Sequence, residues 1–213
     1  VRPDGSGYRQ LLDDAFRTRL PRFSPDGTQI AFYSDRGGSY GLWSIRPDGS
    51  GLQPITQSTN DLLYAGWAPD GKRLATTDGE RILIVDVGKP LADRIVETLP
   101  LLEGTFHGRD ELRWSPDGSM LSFYTTASDG TTLLFAYSFA TKTYRNLAEH
   151  AFSAAWLPDS RRLVYSRDAH LVLLDTVSGA SRDLLPSGMV SADAIVFGMP
   201  SRDGRTLAVA ERS

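Results

Sequence analysis

The sequence predicts an all-β protein, a β-propeller of four-stranded antiparallel blades. The first observation is a ten-residue phrase that returns along the chain. It reads FSPDGTQIAF at residues 23–32, WAPDGKRLAT at 67–76, WSPDGSMLSF at 114–123 and WLPDSRRLVY at 156–165, with a weaker copy, PSRDGRTLAV, at 200–209. Repetition of this kind predicts stacked structural units. The spacing of the copies and the residues within each copy identify the unit.

The spacing matches the length of a propeller blade. The central aspartates are Asp26, Asp70, Asp117, Asp159 and Asp203, which lie 44, 47, 42 and 44 residues apart. A period of roughly 40–45 residues is typical of one four-stranded blade. We therefore count about five blade repeats. Together they form a single propeller domain, or a propeller fragment, over residues 1–213.

Within each unit the residues favour strands joined by tight turns. In Pro-Asp-Gly, Pro presets φ, Asp accepts hydrogen bonds from the following backbone and Gly tolerates a positive φ. In the first complete unit we predict strand A at 21–24, strand B at 29–34, strand C at 42–46 and strand D at 52–56. These runs are short, β-rich and bounded by Gly, Asp and Ser, and none has a helical stripe with caps.

An aromatic residue stands three positions before the aspartate in the four stronger copies. These residues are Phe23, Trp67, Trp114 and Trp156. One blade cannot bury both faces of its sheet, so neighbouring units must stack. We assign the four aromatics a structural role between blades, since a fixed place in the repeat favours core packing over ligand stacking. Trp43 lies on strand C instead, and we expect it to be partly exposed.

The two ends of the sequence each resemble part of a blade. Residues 1–12 (VRPDGSGYRQLL) match residues 45–56 (IRPDGSGLQPIT), which form the end of strand C, a turn and strand D, and the closing TLAVAER matches strand B. Two arrangements stay open. The ends meet in one composite blade that closes a five-bladed ring, or the chain is part of a ring of six or more blades. We favour the second, although bare strand edges are costly in an open array.

Composition excludes several kinds of function. The 213 residues carry a net charge of −3, which argues against a nucleic-acid surface. No apolar run is long enough to span a membrane. The chain has no cysteine, which excludes disulfides, thiolate nucleophiles and cysteine-based zinc sites.

Motifs for catalysis and metal binding are missing from the sequence. It contains no Walker A loop and no His-Glu-x-x-His. Its one Gly-x-Ser-x-Gly pattern, GGSYG at 37–41, lies in the loop between predicted strands B and C and not in a strand-to-helix elbow. His107, His150 and His170 fall in three different units, and we expect them to be solvated or hydrogen-bonded. The repeated aspartates lack the spaced ligands of a calcium loop. We therefore predict no catalytic residue, no metal site and no cofactor.

The phrases FSPDGTQIAFYSDRGGSYGLWSIRPDGSGLQPIT and RWSPDGSMLSFYTTASDG resemble the bacterial TolB-type propeller family, whose WD-repeat-like blades carry the Pro-Asp-Gly motif. The resemblance covers essentially the whole chain and weakens at MPSRDG. It implies a non-enzymatic scaffold that docks other proteins in the periplasm or cell envelope. Related propellers gate the hydrolase domain of prolyl-oligopeptidase-like enzymes or accompany a kinase, which would imply the cytoplasm. A fold of this kind serves many functions.

A protein partner is expected on the face where the D–A and B–C connections gather around the axial channel. Aromatic and arginine side chains dominate many interfaces. The candidate contacts are Phe16, Arg17, Arg19, Tyr64, Phe106, His107, Arg109 and Phe152. The most irregular connection is LLEGTFHGRD at 101–110, and extra length in one repeat is where a scaffold often places specificity. A small molecule or ion in the axial channel stays open as an alternative.

Overall fold

A computed structural model describes residues 4–57, 61–102, 104, 106–168, 170–185, 195–201 and 203–212. For residues 106–110, 195–199 and 210–212 it describes the backbone and not the side chains. The described chain forms four sheets of four antiparallel strands and one two-stranded sheet. In each four-stranded sheet, which is one blade, strands that follow each other in sequence are neighbours.

The strands have the following bounds. Blade 1 contains β1 (Thr18–Phe23), β2 (Ile30–Ser34), β3 (Gly41–Ile45) and β4 (Gln53–Pro54). Blade 2 contains β5 (Leu63–Trp67), β6 (Arg73–Thr77), β7 (Ile82–Asp86) and β8 (Ile95–Thr98), with a 3-10 turn at Leu91–Asp93. Blade 3 contains β9 (Phe106–Trp114), β10 (Met120–Ala127), β11 (Thr132–Ser138) and β12 (Thr143–Glu149). Blade 4 contains β13 (Ala151–Trp156), β14 (Arg162–Arg167), β15 (His170–Asp175) and β16 (Ser181–Asp183). The fifth repeat forms a hairpin of β17 (Ile195–Pro200) and β18 (Leu207–Arg212).

The predicted propeller of four-stranded antiparallel blades is confirmed, but the predicted count of blades is not. Four blades are complete, and the fifth repeat contributes only two strands among the described residues. The predicted strand D near the start of the chain is also wrong, because residues 4–17 form no strand. A strand needs a neighbouring strand to pair with. Leu11 and Leu12 instead pack against Ile30, Phe32 and Ile45 of blade 1.

Each repeated turn is closed by its aspartate. Asp26 Oδ1 accepts hydrogen bonds from Ser24 Oγ at 2.6 Å and from the Thr28 amide at 3.0 Å. Gly27, which follows, has a φ of 73°, a conformation that glycine adopts without strain. The hydroxyl of Ser24, followed by the amide and hydroxyl of Thr28, lowers the pKa of Asp26 below its ordinary value of 3.8. The ionised carboxylate therefore stabilises the turn.

A hydrogen bond from a tryptophan joins each of blades 2, 3 and 4 to the blade before it. The indole Nε1 atoms donate from Trp67 to the carbonyl of Arg22 (3.1 Å), from Trp114 to that of Gly66 (3.0 Å) and from Trp156 to that of Arg113 (3.2 Å). Every acceptor lies four positions before the aspartate of the preceding copy, so the bond repeats with the sequence period. Phe23 has no preceding blade among the described residues, and 62% of it is exposed.

The backbones of blades 2 and 3 approach closely where Trp114 meets Gly66. A Cβ atom at Gly66 would lie 2.3 Å from the carbonyl oxygen of Leu112. The same junction contains a large apolar cluster, in which Ile84 and Leu99 of blade 2 are buried with Leu121 of blade 3. Only glycine at position 66 allows β5 and β9, the first strands of blades 2 and 3, to come this close.

We expect Gly66→Ala to lower the free energy of unfolding by about 2–3 kcal/mol, because the added methyl group overlaps a backbone oxygen. Chemical denaturation measures the effect. Gly37→Ala is the matched control, since a Cβ there meets only the edge of Trp43 at 3.7 Å. Equal stability of the two variants would contradict the close approach.

We expect the difference in the free energy of unfolding between the native protein and the Asp26→Asn variant to depend on pH. The pKa of Asp26 is lowered in the folded state, so the charged form contributes stability above its ordinary value of 3.8. That contribution disappears as the pH falls through the lowered folded-state pKa. Urea midpoints measured between pH 2 and pH 7 test this linkage. Asp13→Asn, outside the turn, is the control, and a difference that does not change with pH would refute the prediction.

Candidate functional site: the loop face

Two kinds of connection meet on one side of the blades, which we call the loop face. They are the connections between blades and the loops between the second and third strands of each blade. The Arg17 amide donates to Asp35 Oδ1 at 2.9 Å, which joins the segment before β1 to the loop after β2. The Tyr40 amide likewise donates to Asp61 Oδ1 at 2.9 Å. The described loop face includes residues 13–17, 35–40, 61–62, 78–81, 101–102, 128–131, 150 and 168.

Arg36 is the most enclosed charged residue of this face that we identify. Its side chain is only 5% exposed, and its Nη1 lies 3.3 Å from Asp14 Oδ2. Its Nε donates to Ser34 Oγ at 3.2 Å and its Nη2 donates to Thr18 Oγ1 at 3.3 Å. The guanidinium is thus satisfied by groups from three separate segments, which it ties together.

The same guanidinium lies against three aromatic rings. Its carbon is 5.5 Å from the ring centroid of Phe16, 5.5 Å from that of Phe32 and 5.3 Å from that of Trp43. Attraction of a cation to an aromatic face strengthens when water is excluded. Arg36 therefore fixes the segment that carries Phe16 onto blade 1. Sequence reasoning missed Arg36, because nothing in DRGGSYG reveals that rings from distant segments surround it.

Phe16 remains available to a partner even though it contacts Arg36. The residue is 49% exposed, and Arg17 beside it is held through its main chain by Asp35. Arg19 belongs to β1, and its guanidinium lies 6.0 Å from the ring of Tyr40 in the neighbouring loop. Phe152 is 40% exposed on β13, next to the turn at His150. These positions combine exposed aromatic surface with positive charge.

Tyr64 lies on β5, the first strand of blade 2, at a β-bulge that recurs in the first strand of every complete blade. The bulged residues have positive φ and stand six positions before the aspartate; they are Leu20 (48°), Tyr64 (57°), Glu111 (50°) and Ser153 (45°). The pairing register shifts at each of them. Tyr64 and Glu111 line a cavity of about 10 Å³ together with Arg113, room for about one water molecule. At this point the inner strands leave no space for a metabolite.

The predicted irregular connection at 101–110 is in large part a strand. Residues 106–110 belong to β9, because β10 continues to Ala127 and offers β9 a partner over its full length. Phe106 pairs with Ala127, and His107 pairs with Thr126. Arg109 lies on the same strand. The side chains of these three predicted contacts lie outside the described part of the structure, as do residues 58–60 and 186–194 of two other connections.

Among the described residues, no three His, Asp or Glu side chains form a group suited to hold a metal ion. His170 Nδ1 lies 3.2 Å from Asp183 Oδ2 on the neighbouring strand, and His150 occupies the turn between β12 and β13 with a φ of 53°. None of the helices in the described ranges has the length and apolar character needed to cross a membrane.

Two curated proteins share parts of this sequence, although no family model matches it. An uncharacterized protein of Agrobacterium fabrum is 30% identical over 141 residues, which is 54% of this chain and 45% of that protein. Dipeptidyl-peptidase 5 of Porphyromonas endodontalis is 34% identical over 77 residues, which is 36% of this chain and 11% of that enzyme. The chain therefore spans less than half the length of these relatives.

Solved structures resemble the fold over most of the chain. TolB from Acinetobacter baumannii has a TM-score of 0.62 at 18% identity, over 92% of this chain and 47% of that one. A putative TolB from Agrobacterium tumefaciens has a TM-score of 0.58 at 18% identity, over 79% of this chain and 66% of that one. An oligogalacturonate lyase in complex with manganese has a TM-score of 0.71 at 13% identity, over 89% of this chain and 57% of that one. The fold is that of a TolB-like β-propeller.

We expect Arg36→Met to destabilise the protein by about 1–2 kcal/mol, since it removes the ion pair with Asp14 and the cation–π contacts. It should also make the chain easier to cleave between Asp14 and Arg17. Denaturation and limited proteolysis measure the two effects. Arg81→Met is the control, because Arg81 is exposed in the corresponding loop of blade 2. Similar proteolysis of both variants would refute the role of Arg36.

Proposed function

We propose that this chain is a non-catalytic propeller scaffold that docks another protein on its loop face. The observation that carries the proposal is Phe16, which is half exposed while Arg36 holds its segment rigid. A rigid aromatic side chain loses little entropy on binding, which suits it to be an interface hot spot. Phe152 and Arg19 extend the same kind of surface. The TolB-like fold supports a place in a cell-envelope complex.

An accessory role in a larger enzyme is the second candidate. It is favoured by the similarity to dipeptidyl-peptidase 5, of which the matched segment covers only 11%. In that case the propeller would gate a hydrolase domain, and the loop face would contact that domain in place of a separate protein. The fold likeness to a lyase adds no catalytic residue to this chain.

We also propose that the face of blade 1 that points away from blade 2 packs against another blade, as a ring of more than four blades requires. Trp43 is partly exposed there beside a cavity of about 680 Å³. Phe135, which occupies the corresponding position in blade 3, is buried against blade 2. A neighbouring blade would bury Trp43 and Phe23 in the same way. Six or more blades, as the sequence favours, and a closed ring of five both satisfy this requirement.

Site-specific cross-linking in the source cells tests the docking proposal. A photoreactive amino acid replaces Phe16 in one sample and Val177 in another, since Val177 is 72% exposed on the opposite side of blade 4. We expect a protein adduct from position 16 and none from position 177. With the captured partner purified, Phe16→Ser should weaken binding at least about tenfold, a typical hot-spot loss, and Val177→Ser should not.

Two results would overturn the scaffold proposal. Adducts of equal yield from both positions would show contact without a specific loop-face interface. Adducts only within one longer polypeptide that carries a hydrolase or kinase would favour the accessory role. Peptidase activity of that longer polypeptide would then identify the enzyme that the propeller serves.

A further inference from the structure

A cavity of about 160 Å³ lies between blades 1 and 2, both of which are complete. Its lining includes Gln29, Trp67, Val87 and Arg94. Gln29 immediately precedes β2 and Val87 follows β7, whereas the loop face holds the other ends of these two strands. A cavity of about 150 Å³ is large enough to hold one six-membered ring. The site is therefore a compartment for a small molecule, at the end of the blades opposite the loop face.

The equivalent space between blades 2 and 3 is filled by side chains of the protein. There the ring of Phe139 stacks on that of Trp114, with the ring centroids 4.8 Å apart and the planes 1° from parallel. The guanidinium carbon of Arg73 lies 5.1 Å from the centroid of the same Trp114 ring. An aromatic ring and a cation thus both pack against the repeated tryptophan at this junction.

Smaller side chains leave this space open beside Trp67. Val87 corresponds to Phe139, because the main-chain amide of each donates to the carbonyl two positions after the repeated aspartate. Gln29 corresponds to Arg73, since each lies three positions after that aspartate. A flat ring bound against Trp67 would take the place that the Phe139 ring occupies at the next junction.

The carbonyl oxygen of the Gln29 side chain needs a hydrogen-bond donor. Gln29 Oε1 is buried and has no hydrogen-bond partner among the described groups. A buried acceptor without a donor costs free energy, so native structures rarely leave one unpaired. An O–H or N–H group of a molecule in the cavity would satisfy it.

Arg94 contributes a positive charge that the main chain holds in place. Its Nε donates to the Lys89 carbonyl at 3.0 Å, and its Nη1 donates to the Pro54 carbonyl at 2.9 Å. Within the described part of the chain, no group accepts from its Nη2 and no carboxylate forms an ion pair with it. A guanidinium that is fixed and lacks an anionic partner is suited to bind a carboxylate.

We propose that the cavity between blades 1 and 2 binds a single-ring aromatic acid that carries a hydroxyl or amino group. The ring stacks on Trp67, the carboxylate accepts a hydrogen bond from Arg94 Nη2, and the hydroxyl or amino group donates to Gln29 Oε1. This site is separate from the loop face, so it does not depend on the docking proposal.

Calorimetric titration of the 213-residue chain with 3-hydroxybenzoate and with 4-hydroxybenzoate tests the ligand class. We expect at least one isomer to bind with a Kd of about 1 mM or tighter, an ordinary affinity for a ligand of this size. Benzoate lacks the donor and should bind about fivefold more weakly, as the loss of one hydrogen bond would produce. The corresponding hydroxybenzamide lacks the carboxylate and should bind about tenfold more weakly.

Variants of the protein test the location of the site. Val87→Phe should abolish binding, because the new ring fills the cavity as Phe139 fills its equivalent, and an unchanged melting temperature would show that this variant folds. Val177→Phe is the matched control, since Val177 is 72% exposed in blade 4, and it should bind like the native protein. Phe16→Ser should also leave binding unchanged, which separates this site from loop-face docking.

Gln29→Met tests the hydrogen bond without depending on Val87→Phe. Met120 already occupies this position in blade 3, where it packs against the cluster that contains Trp156. The substitution should lower the affinity for the hydroxybenzoate to that for benzoate, and it should leave the affinity for benzoate unchanged.

Four results would overturn the proposal. The first is the absence of saturable binding of either isomer below about 10 mM, which is weaker than a site of this kind should give. The second is equal affinity of the native protein for benzoate and both hydroxybenzoates. The third is unchanged binding to Val87→Phe, and the fourth is an equal loss in Val177→Phe. Saturable binding that Val87→Phe abolishes and Val177→Phe preserves supports the proposal.

Discussion

The hydrogen bond from each repeated tryptophan to the inner strand of the preceding blade is the constraint on which the rest of this structure depends. A blade is apolar on both faces, so stacking alone would allow neighbouring sheets to slide and rotate. A buried indole N–H must find an acceptor, and here each one bonds the carbonyl at one repeat position, which Trp156 supplements with Ser122 Oγ at 2.9 Å. That requirement sets the position of each blade against the one before it. At Gly66 the requirement also brings two backbones together, which leaves no room for a side chain.

The loop face follows from this stacking. Once the first strands of the blades are fixed, the connections between blades must pass beside the loops of the same blades. Hydrogen bonds from a main-chain amide to an aspartate carboxylate, such as that from Tyr40 to Asp61, join them. Arg36 adds the only desolvated cation that we find tying such a connection to three aromatic rings in the described chain. The rigid strands thus support short, hydrogen-bonded loops with exposed side chains. Such loops are where repeat proteins commonly bind their partners. Phe16 stays 49% exposed although the Arg36 guanidinium that holds its segment lies 5.5 Å from the centroid of its ring.

Features that depend on neighbouring residues and repeat along the sequence could be predicted. Contacts between distant segments, and repeated features whose residue types vary, could not. The turn at Asp26 involves residues within five positions of each other, so its chemistry is visible in the phrase itself. The inner-strand bulges recur as faithfully, but Leu20, Tyr64, Glu111 and Ser153 share no residue type that could reveal them. The segment before β1 looked like a strand because it copies one, yet strand formation requires a partner that local sequence cannot supply. The enclosed position of Arg36 could not be predicted for a related reason, since the residues that contact it come from separate segments of the chain.

The two ends of the array differ from its middle in one physical respect. Phe23 and Pro200 stand where the other blades have tryptophan, and neither side chain carries an N–H group. The fifth repeat also lacks the inner-strand bulge, since β17 and β18 pair without a register shift. Leu207 packs against the apolar cluster of Leu157, Val164 and Leu171 in blade 4, and no tryptophan of the fifth repeat adds a directional bond. Apolar contact tolerates exchange of one strand for another better than a fixed hydrogen bond does, because it specifies size and hydrophobicity more than position. The tryptophan bonds consequently fix blades 2, 3 and 4 against the blade before them, whereas the contact at Leu207 specifies size and hydrophobicity more than position.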